Sequence, residues 1–355
     1  MHYKPSVCET VERFRCLWAR ESPDRVLVKI DLQNPDTPTV MNAMSKVPRF
    51  GEMVDEWEAG FELNRPLGDD NLPVVYGELG GYIVGGFLGA KVSWGAGGAY
   101  PEKLILDMKR WRDYVRFDEG NEYYLLHMNY LRYLAERSAG RFGYTEMIAI
   151  DGLNFLDCVR HGDAYTDLYD YPSETREVLD YASDLTVKLV REQRKLVPPF
   201  NGGRFNFYQI WTPGKTIFIS VDAYGQCGPE VFEKFGRKYV QRLADEFGGG
   251  WLHVHSDAMR LLHTYASLDG LVAVGLEDWI KPPFAVDHLD EIRGMTGDVP
   301  LMINIEKERL LAMIGAGTLP GNALYWVSGV RSADEANRVA GIAHGYRAPH
   351  ARALY

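Results

Sequence analysis

Residues Trp251–Met259 read WLHVHSDAM. Two imidazoles one residue apart, with a carboxylate two positions further, can share a metal ion, work as an acid–base pair, or be ordinary polar residues at a strand end. In an extended strand, residues two apart point to the same side, so His253 and His255 share a face. That is the usual geometry for two imidazoles on one ion. Further ligands would come from Asp222, Cys227 or Glu277. Without a metal, Asp222 and His255 would serve as acid and base. The competing arrangement packs one histidine inside the protein and hydrogen-bonds the other to a carboxylate.

Other apolar stretches end in the same way. Asp151 and Asn154 follow EMIAI; Asp222, Tyr224, Gln226 and Cys227 follow TIFISV; Glu277 and Asp278 follow LVAVG. Asn304 and Glu306 follow PLMI, and Ser328 follows ALYWV. Asp222, His255 and Glu277 are the expected catalytic groups. Asp151, Asn154, Arg204, Tyr224, Gln226, Asn304 and Ser328 are expected around the substrate, and His253, His255 and Cys227 on a metal. Blander roles compete: Asp257 would cap the helix after HVH, Asn304 would serve loop carbonyls, and Cys227 would fill space. The aromatics of YQIWTPGK, Tyr208 to Lys215, and of YWV at Tyr325 would either stack on a planar ligand or pack in the core.

These residues need a scaffold that brings strand ends together. Apolar strands alternate with amphipathic helices through the middle and second half of the chain, which predicts a parallel sheet with crossover helices. At least six such units favour a closed (β/α)8 barrel, in which residues at strand C-termini gather at one mouth. The expected helices include Cys8–Arg20, Phe50–Gly60, Pro101–Phe117, Asn121–Ala139, a long one over Pro172–Leu196 capped by Ser173, and a single helix over GPEVFEKFGRKYVQRLADEF. The glycine-rich run Asn71–Gly95 lacks GxGxxG spacing and is not read as a dinucleotide loop. One domain over residues 1–355 is expected, with 1–70 as an N-terminal extension packed on the barrel.

The 355 residues are 46% hydrophobic and 25% charged, as in a globular protein. With 39 basic and 49 acidic residues the net charge is −10, and no basic stripe invites nucleic acid. The four scattered cysteines, Cys8, Cys16, Cys158 and Cys227, form no CxxC pair and fit a reducing cytoplasm. The N-terminal stretch has no apolar signal-peptide core, and no window approaches a membrane span.

Several segments, in order, resemble the uroporphyrinogen decarboxylase superfamily. ETVERFRCLWARESPDRVLV is similar to its opening helix, Pro-Asp-Arg turn and first strand. DCVRHGDAYTDLYDYPSETREVLDYASDLT resembles its Gly-Asp/Glu…Asp-x-Pro-Glu segment, and VDAYGQCGPEVFEKFGRKYV its strand-end Asp and Gly-Pro-Glu helix start. WLHVHSDAMRLL and GNALYWVSGVRSADEANRVA are similar to its strand-end His and its closing strand and helix. Three features depart from the family's two named activities. The region around NAMSKVPRFGEM lacks the decarboxylase's Arg-Gln-Ala-Gly-Arg motif, and Ser328-Gly329 stands where Gly-His-Gly closes that enzyme. HVH replaces the His-x-Cys of the zinc methyltransferases, with no later cysteine.

The resemblance implies a single (β/α)8 barrel and an enzyme. Methyl transfer with a corrinoid or pterin methyl carrier is the leading expectation, assisted by zinc. Decarboxylation of a porphyrinogen or other carboxylated small molecule is the alternative, with Arg204 or Arg49 holding a carboxylate. A non-catalytic ligand-binding barrel is the third reading. The expected partners are a small-molecule substrate, a corrinoid protein and a second copy in a homodimer, with no nucleic acid and no membrane.

Overall fold

The computed structural model describes residues 1–32, 48–95, 98–278 and 281–349. The first half of NAMSKVPRFGEM, the segment read as lacking a carboxylate-binding motif, lies outside the described residues, which resume at Pro48. The centre is a seven-stranded parallel sheet in the order β1-β13-β12-β11-β10-β9-β6. Its strands are β1 (Val26–Leu32), β6 (Ala149–Ile150), β9 (Ile217–Ser220), β10 (Gly250–His255), β11 (Leu271–Glu277), β12 (Leu301–Glu306) and β13 (Ala323–Val330). Two further strands, β2 (Val74–Val75) and β5 (Gly143–Tyr144), pair in parallel with each other. An antiparallel hairpin, β3 (Val92–Gly95) with β4 (Gly98–Pro101), lies between them in sequence. A second hairpin, β7 (Gly203–Phe205) with β8 (Trp211–Pro213), leads into β9.

Alternation along the strands gives each face its own core. Val26, Val28 and Ile30 of β1 point to the face packed by the crossover helices. Leu27 points to the other, with Phe218, Trp251, Ala273, Met302 and Leu324 from five more strands. This second cluster is covered by the helix α1 (Val7–Trp18) and the β7–β8 hairpin, which add Phe14, Trp18, Tyr208 and Trp211. Six full-length strands each giving one apolar residue to the same small cluster account for its density. The contact is close at Gly275, where a Cβ would fall 2.3 Å from the Trp251 ring, so only glycine lets that indole lie flat there.

Further along the strands the same face turns polar. Register sets Lys29 beside Trp326, and Asn304 beside Trp326 from the other side. Ser220 lies beside His253, and His255 beside Glu277. The composition of this face therefore changes from hydrocarbon to ionisable within one or two residues of each strand.

Several local expectations need correction. Residues 26–32 are a sheet strand, so the first 70 residues are not merely an extension. The helix expected over Pro101–Phe117 is reduced to a 3-10 turn (Met108–Arg110) and one helical turn (Trp111–Tyr114), opened by the Asp107 side chain accepting from Lys109 N. The helix at Pro172–Arg194 has no side-chain cap; Pro172 starts it and Ser173 plays no capping part. One long helix after Gly228 is two, Pro229–Phe235 and Arg237–Phe247, divided at Gly236. There a Cβ would fall 2.4 Å from the Phe232 ring and 2.8 Å from that of Tyr224. After His255 comes a 3-10 turn, Ser256–Leu261, with no cap from Asp257. No helix of the described residues is long and apolar enough to cross a membrane.

Candidate metal and acid–base site

At the polar ends of β9, β10 and β11, Asp222, His253, His255 and Glu277 meet. His253 Nε2 is 3.3 Å from Asp222 Oδ1, and His255 Nε2 is 3.7 Å from the same oxygen. The two imidazole rings are 4.8 Å apart and nearly perpendicular. Asp222, His253 and His255 each offer a ligand atom, all within 4.8 Å of one another. Ligand atoms on a tetrahedral zinc with bonds near 2.0–2.1 Å lie roughly 3.3 Å apart; Asp222 Oδ1 and His253 Nε2 already stand at that spacing, and the His255 nitrogen would have to close in to share the ion.

The third ligand atom is set by its own neighbours. The Ser220 hydroxyl donates to Asp222 Oδ2 at 2.7 Å, and Asn154 Nδ2 donates to Ser220 Oγ. That relay turns Oδ1 toward the histidines, where it is buried without a well-formed hydrogen bond. A buried carboxylate oxygen facing two imidazole nitrogens is what a cation between them would satisfy.

Charge is unevenly shared. Burial pulls His253 down, but Asp222, Glu277 and Glu78 outweigh it and hold the imidazole above its ordinary range. His255 goes the other way, lowered by burial and by His253. Burial pushes Asp222 up, yet the two histidines and Ser220 leave it below the usual carboxylate range. Thus one imidazole favours its proton and the other its lone pair, which also suits an acid–base pair.

Several neighbours are not among the expected site residues, although Tyr208 is read as an aromatic that packs or stacks. Tyr208, from the turn of the β7–β8 hairpin, hydrogen-bonds His253 Nδ1 and donates to Glu277 Oε2 at 3.0 Å. Lys29 is buried, with its ammonium 4.1 Å from the centre of the Trp326 ring. Burial lowers its pKa to about 8, against the pull of Asp31 and Asp69. Glu78 is buried after β2 and accepts from Ile148 N; burial pushes it up to about 7. Asp31 is exposed to solvent at the end of β1, and the desolvation of its carboxyl by the surrounding protein raises it. In VLVKIDL the signal was available: Leu27, Lys29 and Asp31 alternate onto one face.

Other expected site residues are occupied elsewhere. Asp151 caps the helix Gly152–Arg160, accepting from Leu153 N and Asn154 N, and burial raises it to about 8. Asn154 donates to Asp151 and Ser220 O and accepts from Ala223 N, so the two latch strand ends together. Tyr224 is fully buried and donates to Phe235 O. Arg204 lies on the β7–β8 hairpin, donating to Val197 O and paired with Glu146, away from the histidines. Cys227 falls outside the ligand trio; its thiol sits 3.9 Å from Ala223 O and is pushed up to about 11 by burial. Asn304 accepts from Asp278 N and so shapes the loop after β11. Gln226 is exposed, while half-buried Ser328 pairs in register with Glu306.

No family model matches the chain, and no curated protein matches it.

Proposed function

We propose that the chain is a divergent, cytoplasmic member of the uroporphyrinogen decarboxylase superfamily whose strands close into one (β/α)8 barrel. Three contacts support closure. β13 pairs with β1; on the other edge of β1, Asp70 N donates to Val28 O just ahead of β2; and β2 pairs with β5, six residues before β6. Counting β5 and β6 as one interrupted strand gives eight. The apolar cluster under α1 is then the packed lumen, and the polar strand ends are the mouth.

The function this arrangement supports best is zinc-assisted methyl transfer involving a corrinoid or pterin methyl carrier. The observation that carries it is Asp222 Oδ1 facing Nε2 of both His253 and His255 at 3.3 and 3.7 Å; the family resemblance supplies the reaction class. His253, His255 and Asp222 would hold the ion, whose chemistry would be Lewis-acid polarisation of the group that gives or takes the methyl. Ser220 fixes Asp222, and Glu277 accepts from Tyr208 beside the histidines. Glu78, with its carboxyl raised to about 7, retains a proton that it can give or take near neutrality.

Decarboxylation of a polycarboxylate is the weaker reading. Asp31, Glu78, Asp222, Glu277 and Glu306 all fall at the polar end of the strands. The two arginines considered for holding substrate are engaged elsewhere, Arg204 with Glu146 and Arg49 with Glu52.

Elemental analysis of the purified protein, with and without added zinc, tests the proposal. Stoichiometric zinc that disappears in the double variant His253→Ala/His255→Ala is the expected result. A wild-type protein that retains no zinc, cobalt or manganese after dialysis would remove the metal. A metal-loaded protein that leaves the absorbance of a methylated corrinoid unchanged with every acceptor offered, yet consumes a porphyrinogen, would replace methyl transfer with decarboxylation. Tight ligand binding without any turnover would leave only a binding barrel.

A further inference from the structure

The β7–β8 hairpin stands on the opposite side of the apolar cluster from the histidines, yet one of its side chains reaches them. The turn that does this is built in detail. Asn206 N donates to Ile210 O, and the Asn206 side chain accepts from Tyr208 N. Gln209 adopts a left-handed backbone (φ 58°), and its N–H donates to Asn206 O. Lys29, on β1, donates to both Tyr208 O and Gln209 Oε1, and Gln209 Nε2 donates to Val74 O. The tip is thus fastened to two strands. Its tyrosine ring is fully buried between Phe218, Trp251 and Trp326.

We infer that Tyr208 is a positioning residue that fixes the tautomer of His253 from beneath the site. The argument is a count of protons. The phenol has one, and the Glu277 carboxylate, 3.0 Å away, can only accept it. The phenol oxygen must then accept from His253, whose Nδ1 it meets. With the ring proton on Nδ1, the lone pair of neutral His253 is on Nε2, the nitrogen that faces Asp222 Oδ1. A metal-binding histidine needs this arrangement: one nitrogen free for the ion and the other donating to an oriented partner. Here that partner comes from a hairpin about forty-five residues away in sequence and is carried through the apolar cluster. Nothing in HVH alone selects Nε2 over Nδ1; the hairpin does.

This inference rests on the metal reading for its consequence but not for its test. In metal-free wild-type protein, at a pH alkaline enough to leave His253 neutral, nitrogen-15 NMR of labelled histidine should show His253, assigned by loss of its signal in His253→Ala, as the Nδ1–H tautomer. In Tyr208→Phe, which keeps the ring packing, that preference should weaken, and zinc affinity measured by chelator competition should fall about 10–100-fold. Cobalt substituted for zinc should show an altered visible spectrum in the variant. Tyr208→His, which can again accept from Nδ1–H, should restore part of the affinity. An Nε2–H tautomer in wild type, or zinc affinity within twofold of wild type in a folded Tyr208→Phe, would overturn the inference. A protein that binds no metal but shows the Nδ1–H tautomer, lost in Tyr208→Phe, would overturn the metal reading and leave the positioning role standing.

Discussion

Two pairs of buried or half-buried acids lie at β-strands of this protein, and they are treated in opposite ways. Asp69 and Asp70 flank β1. Asp69 takes Lys4 Nζ at 3.2 Å, Ile30 N and Asn71 Nδ2; Asp70 takes Arg13 Nε at 2.6 Å, Val28 N and His344 Nε2. Every oxygen has a donor, and three cationic or imidazole groups balance the charge. Asp222 and Glu277 have Ser220, Tyr208 and the two histidines, and Asp222 Oδ1 lacks a well-formed hydrogen bond. Acids that hold a fold together come with their counter-charges built in. The acids of the proposed site are left short of one.

Substitution should separate the two pairs. Asp70→Asn strands Arg13 and His344 and weakens the strand-edge contact to Val28 N, so chemical denaturation should show a loss of about 3–5 kcal/mol. Asp222→Asn should abolish stoichiometric zinc yet change metal-free stability by less than about 1 kcal/mol. Equal stability losses in the two variants would erase the contrast.

Acidity gives the next, smaller effect, with opposite signs. Asp70 is held below the ordinary range: burial pushes it up, but His344, Arg13 and Val28 N–H outweigh it. Its contribution is therefore present above the unfolded carboxylate value and lost as pH falls through the lowered folded one. Glu78 is raised from 4.5 to about 7, so its contribution is present at low pH and lost as pH rises between those values, by up to about 3 kcal/mol. Unfolding free energy measured from pH 4 to 8 should decline less in Glu78→Gln than in wild type. An unchanged slope would show that this carboxyl is not buried as described.

Smaller still, Tyr224→Phe removes one buried hydrogen bond to Phe235 O and should cost about 0.5–1.5 kcal/mol with zinc binding intact. A loss of zinc there would return Tyr224 to the site. Gln226→Ala, at an exposed position, should stay within about 0.5 kcal/mol of wild type.

The sequence made the strands and the histidine pair readable because both follow a period of two. HVH on β10 and the acids after β9 and β11 needed only alternation and strand ends. The parallel sheet was legible for the same reason, whereas the closure proposed for it would depend on the short β2 and β5, too brief to leave a pattern. Asp151, Asn154 and Tyr224 are hydrogen-bonded within the fold, and in sequence a strand-end polar residue looks the same whether it caps a helix or faces a ligand; only the third dimension tells them apart. Tyr208 was noticed as an aromatic that either packs or stacks on a ligand, and it does pack, but its hydroxyl crosses to a residue on another strand. Lys29 interrupts an otherwise apolar strand and was passed over, although its alternation with Leu27 and Asp31 placed it on the polar face.

The sheet joins the first strand to the last: Val26 pairs with Ala323 and Leu32 with Val330. A polypeptide leaving the ribosome therefore carries β1 without that neighbour until roughly 300 further residues are made, some 15–60 seconds at about 5–20 residues per second. Asp69 and Asp70 occupy the Val28 and Ile30 amides on one border of the ribbon soon after it emerges. The other border stays bare for the whole interval, so nascent chains halted before residue 323 should be the species that chaperones capture and that aggregates when they are absent.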